Sequence, residues 1–274
     1  MSRVAVVTGA ARGIGAATVR GLAAAGWSVV AVDRGSDDPR LPYPMGGLDQ
    51  LDGVVAEALA LAPEVPTDAP ETTAPIIARL ADTTDPESLG AVVAETERRF
   101  GGLDAMVAVA GVIAGGVPLW EMPANELDAV LEVDLGGPIN AARVGIPALL
   151  RRPAPRAGRF LAVASAAATR GLPMLSAYGA AKAGVAGLVR GLAAELADTG
   201  VTANAISPGS TSTAMLDESA RLYGLPDSSS FADTQPVKRV LTPDEVAAAL
   251  VWLAGTESSA LTGAVIPVDG GLSL

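Results

Sequence analysis

Tyr178 and Lys182 stand four residues apart in Tyr178-Gly179-Ala180-Ala181-Lys182, and Ser165 precedes them at the end of an apolar run. On a helix this spacing puts both side chains on one face, a turn apart. An ammonium beside a phenol stabilises the phenolate and lowers its pKa from ~10, which makes the tyrosine usable as an acid and base. The same spacing also suits a solvated surface pair. The chain holds only 3 tyrosines, however, and this one opens a run of small residues (Ala180, Ala181, Ala183, Gly184, Ala186, Gly187) suited to close packing. A Ser165 hydroxyl at the carboxyl end of a strand can hydrogen-bond a substrate oxygen, or it can simply end the strand. There are no cysteines and no histidines. Thiolate chemistry, Ser-His-Asp triads and zinc sites built on thiolate or imidazole are therefore excluded. A proton donor must be Tyr, Lys or a carboxylate.

A second group of residues has the spacing of a phosphate cradle. Thr8-Gly9-Ala10-Ala11-Arg12-Gly13-Ile14-Gly15 follows the first apolar run and opens a helical stretch. Glycines here let the backbone turn sharply and approach a pyrophosphate at the helix N-terminus. Such turns also need glycine for steric reasons alone, and the strand–turn–helix context is what favours a nucleotide. Asp33 ends the second apolar run. Its carboxylate would accept the adenosine ribose hydroxyls and repel a 2′-phosphate, favouring NAD over NADP; alternatively it begins a solvated loop. Arg12 and Arg34 lie close enough in sequence to accommodate that phosphate, but a fixed like charge at Asp33 is expected to dominate.

The elements that must carry these groups are legible as apolar runs: Val4–Thr8, Ser28–Asp33, Ile76–Ala81, Leu103–Ala110, Arg159–Ser165, Val201–Ser207 and Ala264–Val268. Continuous rather than alternating hydrophobicity marks strands buried on both faces. Helices are expected at Ile14–Ala25, from Asp85-Pro86-Glu87 to Phe100, and after the capping box Thr242-Pro243-Asp244-Glu245. The alternation predicts a single α/β domain over residues 1–274, a Rossmann-type doubly wound parallel sheet of about seven strands. Two stretches break the rhythm. One is a Pro-rich insertion over about 35–75, in which Leu48–Ala62 has helical spacing; the other is polar and turn-rich over about 210–240.

Composition narrows the partners. The chain is 50% hydrophobic with a formal charge of −11, so it can bury a large core and repels a phosphate backbone; no nucleic acid is expected. The apolar, uncharged run Ala105–Trp120, broken by Gly111, Gly115, Gly116 and Pro118, falls short of the ~18–20 residues of a membrane span, and the first residues lack the pattern of a signal peptide. A soluble, cytoplasmic protein without a membrane partner is expected.

Taken together, these residues resemble the short-chain dehydrogenase/reductase family from Arg3 to about Gly271. The resemblance implies NAD-dependent hydride transfer between an alcohol and a ketone or aldehyde. Tyr178 would take or return the alcohol proton, Lys182 would bind the nicotinamide ribose, and Ser165 would fix the substrate oxygen. On the same basis Gly9, Arg12, Gly13, Ile14 and Gly15 meet the pyrophosphate, Asp33 and Arg34 the ribose, and Ala81-Asp82-Thr83 the adenine side. Ala110 and Gly111 lie beside the adenosine, and Pro208, Gly209, Thr211 and Thr213 near the nicotinamide carboxamide. The family's N-N-A-G segment reads Ala108-Val109-Ala110-Gly111 here, without the Asn side chains, and its fourth catalytic Asn is Asp134. An Asp keeps an acceptor for a water chain to Lys182, loses the amide donors, and adds a charge that holds Lys182 protonated. These two departures also suit a protein that binds NAD as a sensor or scaffold, against which the intact Ser165, Tyr178 and Lys182 argue.

The insertion, the segment Val112 to Glu121 and the V-D-L substitution at Asp134 resemble the subgroup that works with the peptide-derived redox cofactor mycofactocin. That resemblance implies tightly retained NAD and mycofactocin as electron partner, where an ordinary member exchanges NAD(P)(H). Trp120, Met174, Met215, Leu222 and Tyr223 fall where pocket and lid belong, implying a small, largely apolar alcohol or ketone, or else ordinary loop packing. The family's assembly implies a homotetramer through the helix after Tyr178, whose small residues (Gly184, Ala186, Gly187, Gly191, Ala194) permit a close self-contact.

Overall fold

Val4–Thr8 forms β1, and all five residues are buried. A strand with no polar face needs cover on both sides, and the helices supply it. The computed structural model describes residues 2–63 and 75–274. Within them seven parallel strands follow the order β3-β2-β1-β4-β5-β6-β7. They are β1, β2 (Ser28–Asp33), β3 (Ile76–Leu80), β4 (Ala105–Ala108), β5 (Arg159–Val163), β6 (Thr202–Pro208) and β7 (Val265–Val268). The direction of winding reverses between β1 and β4, where a crevice opens at the carboxyl ends of the strands.

One face of the sheet is covered by α1 (Gly13–Ala24), α2 (Leu48–Leu61) and α8 (Pro243–Ala254), through Val19, Leu22, Leu51, Val54 and Leu250. The other is covered by α3 (Pro86–Phe100), α5 (Gly137–Arg151) and α6 (Ser176–Glu195), through Leu89, Val93, Leu149, Val185 and Val189. Helix starts follow their capping chemistry. The Asp85 carboxylate accepts the Glu87 and Ser88 N–H groups at the head of α3. Thr242 and Glu245 form the reciprocal box that opens α8.

Several boundaries differ from those expected. β4 is shorter than the run Leu103–Ala110, because the N–H groups of Val109 and Ala110 turn to the Thr8 hydroxyl, at 3.2 and 3.3 Å. β5 ends at Val163, and Ser165 instead caps a short 3-10 turn, Ala166–Ala168. Ala81 lies just beyond β3. Between β4 and β5 the chain builds α4 (Ala124–Leu131), a π-helical turn (Glu132–Gly136) and α5 without a break. The turn-rich stretch after β6 contains α7 (Ala214–Leu222), capped by the Thr213 hydroxyl.

The insertion is ordered around the expected helix, here α2, while Pro66 and Pro70 lie outside the described residues. Its first part packs inward. Leu41, with Tyr43 and Met45 partly buried, joins a third apolar cluster containing Val112, Ile113, Leu175 and Tyr178. Among the described residues no helix is long and apolar enough to cross a membrane.

Candidate active site

The glycine turn is held to its conformation by contact. A Cβ on Gly15 would lie 2.0 Å from the Gly9 carbonyl oxygen, and one on Gly9, whose φ is +66°, would lie 2.6 Å from Ala110 Cα. The β1 and β4 ends are thus in backbone contact, joined by the Thr8 hydroxyl. Arg12, the N-cap of α1, gives that helix no side-chain cap and its first turn holds no acid. Its leading N–H groups are left for an anion from outside the helix. Asp33 is oriented by two backbone donors, Ala11 N to Oδ2 at 3.0 Å and Gly35 N to Oδ1 at 3.3 Å. The two basic residues near it in sequence are both engaged. Arg12 donates to the Pro44 carbonyl at 2.8 Å, and Arg34 lies between Asp38 at 3.0 Å and Asp82 at 3.3 Å.

At the other end, α6 presents Tyr178 and Lys182 to β5, both buried. Lys182 Nζ donates to the Val163 carbonyl at 3.2 Å and pairs with Asp134 Oδ1 at 3.0 Å. Asp134 is fully buried in the π turn; its Oδ1 also accepts Val112 N at 3.2 Å, while its Oδ2 has no hydrogen-bond partner. Gly111 leaves room for this carboxylate, since a Cβ there would sit 2.7 Å from Oδ1. The Ser165 Oγ accepts Ala167 N at 3.1 Å, and its hydroxyl acts to lower the Tyr178 pKa.

The electrostatics differ from those the sequence leads one to expect. Lys182 does pull the Tyr178 pKa down, but burial outweighs it and the Asp134 charge opposes it, so the phenol lies above its ordinary value. Asp134 is itself raised by burial against the pull of Lys182. Burial works to lower Lys182, yet Asp134 and Tyr178 together hold it above the ordinary lysine value, so it stays protonated.

One cavity of about 640 Å³ joins the two ends. All the positions singled out for the cofactor, from Gly9 to Thr213, lie on its wall, as do Ser165, Tyr178 and Lys182. Asp134 does not; it stands behind Gly111 and reaches the cavity through Lys182. Met215 and Tyr223 line the substrate end with Leu172, Leu175 and Phe231, but Met174, Leu222 and Trp120 do not. Trp120 is 84% exposed, on a 3-10 turn (Leu119–Glu121) outside the cavity. The insertion contributes Ser36, Asp38, Met45 and Gly46 to the wall. None of these has a periodic or motif signal; the nearest clue is the length of the connection after Asp33.

A parallel doubly wound sheet with a glycine turn at its switch point defines a Rossmann-like nucleotide fold. Residues 55–273 match the family described as enoyl-(acyl carrier protein) reductase, and residues 3–42 match short chain dehydrogenase. The chain is 39% identical to the short-chain reductase NovJ of Streptomyces niveus, over 98% of this chain and 93% of that one. It is 37% identical to cis-4-hydroxycyclohexanecarboxylate dehydrogenase of Sinomonas cyclohexanicum, over 98% and 96%. The crystal structure of carveol dehydrogenase from Mycobacterium avium in complex with NAD superposes with a TM-score of 0.88 at 28% identity, covering 98% of this chain and 97% of the other. The chain belongs to the short-chain dehydrogenase/reductase family.

Proposed function

We propose that this protein is an NAD-dependent oxidoreductase interconverting an alcohol and a ketone or aldehyde. The observation that carries the reading is one cavity with a glycine turn and an oriented Asp33 at one end, and Ser165, Tyr178 and Lys182 at the other. The residues fit the cofactor: α1 has uncapped N–H groups, Asp33 is aimed by Ala11 and Gly35, and Arg34 is engaged by carboxylates rather than free for a 2′-phosphate. The NAD-bound carveol dehydrogenase and the hydroxy-acid dehydrogenase among the relatives support it. NAD, when bound, supplies the hydride acceptor or donor.

The chain's own groups supply the rest. Ser165 keeps a hydroxyl free to position the substrate oxygen. Tyr178 takes the alcohol proton in oxidation and returns it in reduction. Lys182 keeps its charge beside the phenol and reaches the ribose end. Leu172, Leu175, Met215, Tyr223 and Phe231 exclude water and favour an apolar substrate body.

The finer reading is that NAD is retained through many turnovers and electrons pass on to mycofactocin. Its support is the insertion, which packs Leu41, Tyr43 and Met45 against the Val112–Ala114 segment, where Ile113 N donates to the Tyr43 hydroxyl at 2.8 Å. The test is to denature the protein, purified without added nucleotide, and assay released NAD, then compare turnover of wild type and Tyr178→Phe. Near-stoichiometric NAD, turnover with an artificial electron acceptor but not with excess free NAD⁺, and a loss of ~10²–10⁴-fold in Tyr178→Phe with NAD content unchanged are expected. Nucleotide-free protein that turns over added NAD⁺ with saturation kinetics overturns retention. NAD binding with no Tyr178-dependent turnover on any alcohol or ketone leaves a binding protein instead of an enzyme.

A further inference from the structure

Asp38 belongs to the insertion, yet its carboxylate lies on the cavity wall beside Arg34 and its side chain is only 2% exposed. Oδ2 accepts from Arg34 Nη1 at 3.0 Å and Arg40 Nη2 at 2.8 Å; Oδ1 accepts from Arg40 Nε at 2.9 Å and the Arg40 backbone N–H at 3.0 Å. These donors, the Arg40 side chain foremost, hold the Asp38 carboxyl well below the usual carboxylate range. The remaining face of Arg34 is taken by Asp82, whose Oδ2 lies 3.3 Å from Nε. Arg34 adjoins Asp33 in sequence and shares its wall. Left free, a guanidinium at this place is a ready phosphate ligand, with a planar fork of donors that matches phosphate oxygens.

We propose that Asp38 is a specificity-determining residue for the nucleotide: by engaging Arg34 it removes the cation that would bind a 2′-phosphate. This rests on the reading that the cavity binds NAD. Discrimination is then divided between two carboxylates of different position. Asp33 repels a 2′-phosphate directly, and Asp38 withholds its counter-charge. The arrangement places part of the cofactor choice in the insertion rather than in the second strand.

The experiment strips bound nucleotide from the purified protein in denaturant, refolds it with equimolar NAD⁺ and NADP⁺, removes free nucleotide, and quantifies what is bound after acid release. Wild type should hold NAD almost exclusively. In Asp38→Asn the bound NADP-to-NAD ratio should rise on the order of tenfold, the effect of one guanidinium freed to pair with the phosphate. Asp38→Asn/Arg34→Gln should fall back towards the wild-type ratio. Loosening of the insertion alone would change total nucleotide bound and leave the ratio where it was. An unchanged ratio in Asp38→Asn, or a rise that survives Arg34→Gln, overturns the proposal. Should Asp38→Asn not fold, Asp38→Ser repeats the test with a short polar side chain left for the Arg40 backbone N–H, and there a ratio that fails to rise overturns it equally. Wild type that holds neither nucleotide would refute the NAD reading itself, a result distinct from all of these.

Discussion

The Lys182 ammonium and the Asp134 carboxylate form an ion pair at 3.0 Å with side chains only 3% and 0% exposed. Water reaches neither group freely, so each charge acts on its neighbours with little screening. The phenol of Tyr178 is the neighbour that matters, because Lys182 also lies 5.6 Å from its ring centroid. Asp134 thus offsets much of the positive field that the spacing of Tyr178 and Lys182 promises.

Asp134→Asn should therefore make Tyr178 more acidic. Asp134 raises both the Tyr178 and Lys182 pKa values, so removing its charge lowers both. The limb of the pH profile of alcohol oxidation that reports Tyr178 should move to lower pH. Measurement of kcat/KM against pH with an artificial electron acceptor checks it. A limb that stays in place, or moves up, would show that the Asp134 charge is not felt at the phenol.

Asp38 should make the fold acid-sensitive. Its folded-state pKa is depressed, so its contribution is complete above the free-chain value of about 4 and is lost progressively as pH falls from there through the depressed folded value. Asp38→Asn should cost about 2 kcal/mol near pH 7, less than a fully buried pair because both arginines keep some water, and somewhat less near pH 3, where only part of the contribution has been lost. Denaturant titrations at the two pH values measure this. An equal loss at both would assign the effect to packing.

Gly46→Ala should weaken cofactor retention. The added Cβ would lie 2.7 Å from Ala11 Cβ, so the insertion must lift from the glycine turn or the turn must yield. Overpacking of this kind costs about 1–3 kcal/mol, enough for roughly tenfold faster loss of bound NAD. NAD content after repeated gel filtration is the readout, and a stoichiometry equal to wild type would separate retention from this contact.

Assembly is expected to use α6. Gly187 and Gly191 lie one turn apart with open space where a Cβ would be, which lets a second copy approach closely. Light scattering should give about four times 27.3 kDa, and Gly187→Arg a smaller species. A monomer at micromolar concentration counts against it.

The sequence is most legible where the physics is local. Val4–Thr8 and Ser28–Asp33 keep their expected bounds because an unbroken apolar run between turn residues leaves one solution in a parallel sheet. The Thr242 capping box likewise fixes the start of its helix with its own side chains. Leu103–Ala110 is too long for its strand because the competing acceptor, Thr8 Oγ1, comes from a strand distant in sequence. Asp38, Arg40 and Tyr43 carry no periodicity, and their importance arises only when the insertion folds back onto Ile113 and Glu132. Trp120 reads as a pocket aromatic, yet the segment bearing it turns outward after Pro118. The net effect on Tyr178 is hidden for a related reason: spacing reveals the lysine, whereas the burial that outweighs it belongs to the whole cavity.

The π turn Glu132–Gly136 sends its residues in two directions. Asp134 points inward to Lys182, and Glu132 points outward to Arg40 of the insertion, with Oε2 at 2.5 Å from Nη1. Removing one residue here would turn it into ordinary α-helix and rotate α5 by about 100° relative to α4. Glu132 and Asp134 would then not both meet their partners. The number of residues in this turn, and not only their identity, therefore keeps the buried ion pair and the insertion contact in place together.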